Sequence, residues 1–267
     1  MGTLWSADDN MTASRRNREA IIGRLLLPAY DVNEAGTTTW AVKAVDGDDI
    51  VSVETTHYTA GAGLNKAVLH YVTLTNNSGS DRNAQVHIVE NGGSRSAANA
   101  IHGKTGGVTI FAGETITLEG PWFLDPSDTL RSISSDAAAN EVALAAVVSE
   151  AADALTGVAL VVKDGVALTA TLVSQYVCPG SGVEHAEVLA VTVCNTDSAD
   201  RTVTVEVRPS GGSQSDKQNR LAESVVSGES LIFGGISLEP GDAIFAKASV
   251  ASVVSFRVSP VEFATTP

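Results

Sequence analysis

A chain of 267 residues with 17 Lys and Arg against 31 Asp and Glu carries a formal charge of −14, which repels a phosphate backbone and excludes sequence-independent nucleic-acid binding. Hydrophobic residues make up 43%, enough to bury a core, so full disorder is excluded. The length suits about two domains, and 24 Gly and 8 Pro beside only 3 Trp, 4 Tyr and 6 Phe favour a turn-rich, all-β fold.

In chain order, the first segment stands apart. Ser6, Asp8, Asp9 and Asn10 interrupt any apolar run near the N-terminus, so no secretory signal is expected. From Thr12 or Ser14 to Pro28, apolar residues at Ile21, Ile22, Leu25, Leu26 and Leu27 predict a short amphipathic helix stopped by proline. Arg15, Arg16, Arg18 and Arg24 against Asp8, Asp9 and Glu19 give residues 1–30 a charge of about +1, opposite in sign to the rest. Residues 1–36 are therefore assigned as an arm. It either docks on the adjoining domain or inserts into a partner, with Arg15, Arg16, Arg18, Ile21, Ile22, Leu25, Leu26 and Leu27 as its partner-binding residues.

The remainder is a doubled unit. Val72 to Ser94 aligns without a gap on Val191 to Ser213 at an offset of 119, with nine identities in 23 positions, including Asn76/Asn195, Asp81-Arg82/Asp200-Arg201 and Gly92-Gly93-Ser94/Gly211-Gly212-Ser213. Gly113-Glu114 then matches Gly228-Glu229, and Asp128 matches Asp242, at offsets of 115 and 114; small loop deletions account for the drift. Domains are assigned to residues 37–150 and 151–267.

Inside each copy the hydrophobic period is two, as in a β-strand. Val68, His70, Val72 and Leu74 form one face of a strand, and Val203, Val205 and Val207 form one face of another. Turn clusters at 46–49, 60–63, 76–80, 91–93, 112–113 and 125–127 divide the first copy into about eight strands, near 38–44, 50–57, 66–76, 83–90, 108–111, 114–118, 129–134 and 141–148. The fold expected is two tandem antiparallel β-sandwiches of jelly-roll type after a short helical arm. No window holds the run of about 18 apolar residues needed to cross a membrane.

Residues with chemical potential were weighed against structural roles. Cys178 is followed by Pro179 and, seven residues on, by His185, but no third group orients the pair, and the sequence has no Gly-x-Ser-x-Gly elbow. On a hairpin turning near Ser181 and Gly182, Cys194 lies about 23 Å from Cys178 at about 3.3 Å per residue, so no disulfide is expected. His70 and His87 could face one another across a sheet, but the five histidines show no metal-ligand spacing. Asp46-Gly47-Asp48-Asp49 could surround calcium but suits a hairpin turn equally well. No catalytic, cofactor or metal residue is assigned. Trp122 and Phe123 form the best aromatic platform for a ligand, and repetition of Asp81-Arg82 as Asp200-Arg201, of Glu114 as Glu229 and of Asp128 as Asp242 points to loop anchoring.

The run Val191 to Val207, then Gly211-Gly212-Ser213, Ser227 to Leu231, Leu238 to Ile244 and Ser255 to Phe263, resembles the small β-sandwich modules of tailed-bacteriophage virion proteins, which accompany capsid decoration, head-fibre and tail proteins. The resemblance spans roughly residues 50–264 and leaves the arm uncovered. It implies a non-enzymatic structural protein, localised to the virion, that attaches to capsid or neck/tail subunits and decorates, stabilises or bridges them. Homo-oligomerisation is expected, with a trimer as the first guess, and neither nucleic acid nor membrane as a partner. The alternative is a host-receptor or carbohydrate-binding module of a phage fibre, with a host surface glycan on Trp122 and Phe123.

Overall fold

The computed structural model describes residues 40–104, 106–151, 158–213 and 219–264. The predicted arm helix lies outside them. The described secondary structure is almost entirely strand, and every described ladder is antiparallel.

Nine strands make the first half: β1 (Trp40–Ile50), β2 (Thr55–Thr59), β3 (Lys66–Asn76), β4 (Arg82–Val89), β5 (Ala100–His102), β6 (Val108–Ile110), β7 (Thr115–Leu124), β8 (Thr129–Ile133) and β9 (Val142–Ala151). They form two sheets, ordered β1-β9-β3-β7 and β2-β8-β4-β5, with β6 also paired to β4. Leu69, Val72 and Leu74 from the first sheet and Val86, Ile88 and Leu130 from the second belong to one hydrophobic cluster, so the sheets enclose a shared core.

The second half is built from β10 (Val158–Leu160), β11 (Val166–Ala167), β12 (Val173–Val177), β13 (Val183–Asn195), β14 (Arg201–Arg208), β15 (Asn219–Val225), β16 (Ser230–Phe233), β17 (Ile236–Leu238), β18 (Ala243–Ala248) and β19 (Val254–Ala264). Its sheets run β10-β19-β13-β16, with β11 on β19 and β17 on β13, and β12-β18-β14-β15. Matching the repeat by sequence places β3 on β13, β4 on β14, β8 on β18 and β9 on β19, and the strand order is then the same in both halves. In each half the chain crosses repeatedly from one sheet to the other, as from β3 to β4 and from β13 to β14, and the last strand lies beside the first. This is the long-range pairing of a Greek key, and a second cluster around Val191, Val193, Val205 and Phe256 fills the second core.

Several local expectations are corrected by this topology. The 46–49 cluster is not a hairpin turn. β1 runs straight through it, with a bulge between Val45 and Asp48 that Gly47 makes by adopting φ +57°. The segments 66–76 and 82–89 are not hairpin partners, because β3 and β4 lie in different sheets and the Asn76–Ser80 turn crosses the sandwich. The same holds for β12 and β13, so the hairpin on which the Cys178–Cys194 separation was reckoned does not exist. Both thiols are free and buried. The stretch 92–107, expected as loop, contains β5, and β7 continues six residues past its expected end to Leu124.

The strict alternation predicted for β3 also fails, for a reason that the second half repeats. Ala67 and Leu69 face the core, as do Val72 and Leu74, because the register shifts between Leu69 and Tyr71 against both neighbouring strands. A one-residue insertion reverses which side chains point inward. β13 does the same: Ala186 and Val188, then Val191 and Val193, enter the core across a shift between Val188 and Ala190. A glycine faces each bulge. A Cβ on Gly120 would collide with the Leu69 carbonyl, and one on Gly234 with the Leu189 carbonyl.

Candidate functional site

The aromatic ligand platform expected from sequence is corrected by the structure. Arg15, Arg16, Arg18, Ile21, Ile22, Leu25, Leu26 and Leu27 lie outside the described residues. Trp122 and Phe123 are described, and they are 0% and 2% exposed, so they cannot stack on an external ligand. The strand expected over 114–118 leaves both residues outside it. They are instead part of the strand, at its contact with the second half.

That contact is built from side chains of both halves. On β13, β16 and β19, alternation sends Val191, Val193, Phe256 and Val258 into the second core and turns Thr192, Cys194, Ser230, Ser255 and Arg257 outward, where register places Thr192 beside Arg257 and Cys194 between Ser230 and Ser255. These outward side chains meet the first half. Thr192 Oγ1 accepts a 2.8 Å hydrogen bond from the Trp122 indole. Ser255 Oγ donates to the Ala100 carbonyl at 2.5 Å, Ser230 Oγ to the Ile101 carbonyl at 2.7 Å, and Cys194 Sγ to the Gly103 carbonyl at 3.5 Å. Two hydroxyls and a thiol thus bond the carbonyls of β5 and of Gly103 just beyond it, at the edge of the first half's second sheet.

Arg257 closes the seam. It is 4% exposed and donates to the Ile88 carbonyl at 3.1 Å, Glu90 Oε1 at 3.0 Å and the Lys163 carbonyl at 3.3 Å. Burial lowers its pKa, opposed by the carboxylates of Glu90, Asp128 and Asp164. Beside it, Val68, Phe123 and Ala151 pack against Leu160, Leu189 and Val261 as a third apolar cluster. The Cys194 thiol, enclosed here, is pushed up to about 12 by burial, which removes it as a nucleophile at neutral pH.

Four histidine side chains are buried in the first half. His70 Nε2 lies 3.0 Å from Ser149 Oγ, and His87 lies between Asn99 Oδ1 at 3.1 Å and Gln85 Oε1 at 3.3 Å. β3 and β4 put His70 and His87 in different sheets, so they do not face each other across one. His57 Nε2 is 2.6 Å from Ser132 Oγ, with Asp48 Oδ2 at 3.5 Å from Nδ1. His102 has no hydrogen-bond partner on either ring nitrogen. Burial lowers all four pKa values, to about 4 for His70, His87 and His102. Among the described residues no group of three or more His, Cys, Asp or Glu is placed to hold a metal ion.

The repeated Asn and Asp residues anchor loops by matching bonds in each half, whereas Arg82 pairs with Glu141 and Arg201 with Asp197. Asn76 Nδ2 donates to the Ser80 and Ile110 carbonyls, and Asn195 Nδ2 to those of Ala199 and Val225. Asp81 accepts from the Ala112 amide and Asp200 from the Ser227 amide, each at 3.0 Å. Asp128 accepts from Asn91 and Asp125, and Asp242 from Ser210 and Glu239. A pair not singled out from sequence joins the sheets across each core: Tyr58 donates to Glu150 at 2.7 Å, and Tyr176 to Glu262 at 2.9 Å.

No protein-family model and no curated protein matches the chain. Viral capsid proteins recur among the solved structures that resemble it. The major capsid protein P2 of bacteriophage PM2 is 9% identical, with 85% of this chain and 98% of that one covered at a TM-score of 0.31. The STIV MCP is 11% identical, with 84% and 97% covered at 0.28. N-glycanase F is also 11% identical, with 85% and 96% covered at 0.36. Scores this low assign the chain no role. No described helix is long and apolar enough to cross a membrane.

Proposed function

We propose that the protein is a non-enzymatic structural component of a tailed-phage virion, built as two tandem jelly-roll sandwiches behind an N-terminal arm, that attaches to capsid or neck/tail subunits and stabilises or bridges them. The observation that carries this reading is the seam. Two copies of one unit are held together by buried hydroxyls, an indole and Arg257, all aimed at the other half, so their chemistry is spent on holding shape. A rigid block of this kind suits a particle component, because its contacts are pre-organised and lose little conformational freedom on docking. The sequence resemblance to virion modules points the same way. Residues 1–36 would grip the particle, and a homo-oligomer, a trimer by our assignment, would multiply weak contacts.

Co-sedimentation with purified capsids and purified tails, full chain against a chain lacking residues 1–30, tests the proposal. Retention of the full chain on one of the two particles, lost on deletion, is expected. Failure of the full chain to bind either particle defeats the virion reading, and equal retention of both chains defeats the role of the arm.

A further inference from the structure

The seam opens at one end into a cleft of about 510 Å³, within the range of about 300–1,000 Å³ typical of small-ligand sites. One wall is the outer surface of the β4–β6 pair. Register sets Asn83 beside Thr109, with Thr109 Oγ1 donating to Asn83 Oδ1 at 3.0 Å, and Phe111 follows at 61% exposure. The other wall is the turn between β15 and β16 in the second half, which supplies Ser227 and Glu229. Lys104 spans the two, its Nζ 2.9 Å from Ser227 Oγ.

The repeat shows that this place has diverged. Phe111-Ala112-Gly113-Glu114 and Val226-Ser227-Gly228-Glu229 are the same turn in the two copies. Glu114 folds back to accept from its own Phe111 amide at 2.8 Å, whereas Glu229 lines the cleft. The copies therefore contribute differently: Phe111 from one and Glu229 from the other line the same cleft.

We infer that this cleft binds a neutral carbohydrate, a pyranose whose C–H face stacks on Phe111 while its hydroxyls bond Asn83, Glu229 and Lys104. An exposed aromatic face beside a few polar groups suits a ligand that is apolar on one side and hydroxylated at its rim. The carboxylate accepts from hydroxyls and the ammonium donates, while the Asn83 amide, which already accepts from Thr109 and donates to Asp136 at 3.2 Å, offers its second N–H and second lone pair. With Asp136 bonded to Asn83, the carboxylates of Asp136 and Glu229 outweigh the Lys104 ammonium, and a chain of −14 repels phosphorylated or sialylated ligands. The inference does not depend on the virion reading.

The test is a glycan array of neutral hexose- and N-acetylhexosamine-terminated oligosaccharides, with sialylated and phosphorylated ones alongside, followed by titration calorimetry on the full chain. Saturable binding to a neutral glycan is expected, weakened about tenfold or more by Phe111→Ala and by Glu229→Gln, with the melting temperature of each variant unchanged. Phe111→Leu, which keeps an apolar side chain, should lose binding as Phe111→Ala does. No binding across the neutral panel, binding to charged glycans alone, or full affinity in Phe111→Ala and Phe111→Leu would overturn the inference.

Discussion

The two halves of the molecule share strand order, a bulge in the third strand with a glycine facing it, and the Asn, Asp and Tyr–Glu bonds that tie loops and sheets. They differ in what surrounds those features. The first half encloses four histidine side chains held neutral by burial, while His185, in the second half, stacks on Phe263 with ring centroids 4.6 Å apart. The second half turns a polar sheet face, Thr192, Ser230, Ser255 and Arg257, toward the first. At the matching position of Thr192 the first half has Thr73, which pairs with exposed Thr117 instead of another half. What both copies keep is the chemistry of folding the unit; what they have lost in common is the chemistry of joining, which belongs to one face of the second copy and one edge of the first.

Breaking the join should have the largest effect. Arg257→Ala leaves the Glu90 carboxylate and the Ile88 carbonyl without their cation, and loss of one partner from a buried charged pair costs about 3–5 kcal/mol. Denaturant unfolding monitored by far-ultraviolet circular dichroism should show this loss, with the single transition of the parent chain splitting into two as the halves decouple.

Acid should act on the first half alone. His70, His87 and His102 take up a proton near pH 6.5 when unfolded but only near about 4 when folded. Between those values the unfolded chain binds more protons, so stability falls as pH drops from about 6.5 toward 4, by up to about 3 kcal/mol per histidine. Hydrogen exchange measured at pH 7 and pH 4.5 should show β3 to β5 opening while β13 and β14 hold. Loss of protection at equal rates in both halves would remove the histidines as the cause.

The smallest contrast tests what is shared. Asn76→Ala and Asn195→Ala each remove the side-chain donor from one buried carbonyl, that of Ile110 or of Val225, at about 1–3 kcal/mol, and the two losses in midpoint-derived stability should agree. A marked inequality would mean that the repeated anchor no longer has a repeated role.

Much of this was legible in the sequence. The offset of 119 between Asn76 and Asn195 locates the doubled unit, and period-two patterning locates most strands. The anchoring bonds of Asp81, Asp200, Asp128 and Asp242 follow from their recurrence at loop ends. What could not be read depends on which strands meet. β3 and β4 look like a hairpin because they are neighbours in sequence, yet each finds its partners in a different sheet. The bulge at His70 inverts the inward face halfway along β3, an event that alternation alone does not announce. Trp122 reads as a ligand platform until the second half is laid over it, and Phe111, a lone aromatic before a Gly-Glu turn, gains a cleft only when Ser227 and Glu229 arrive from far along the chain. A pairing of Tyr58 with Glu150 or Tyr176 with Glu262 would have been visible as a third repeated couple had the drift in offset been followed to the last strand.

The claim on which the account rests is that two copies of one unit are joined into a single block by their own surfaces and not merely by the chain between them. Replacing residues 152–157 with a protease recognition sequence and cutting it tests this directly. The account predicts that the nicked halves elute together in size-exclusion chromatography, and that adding Arg257→Ala lets them part. Two separate species from the cut parent chain would contradict it.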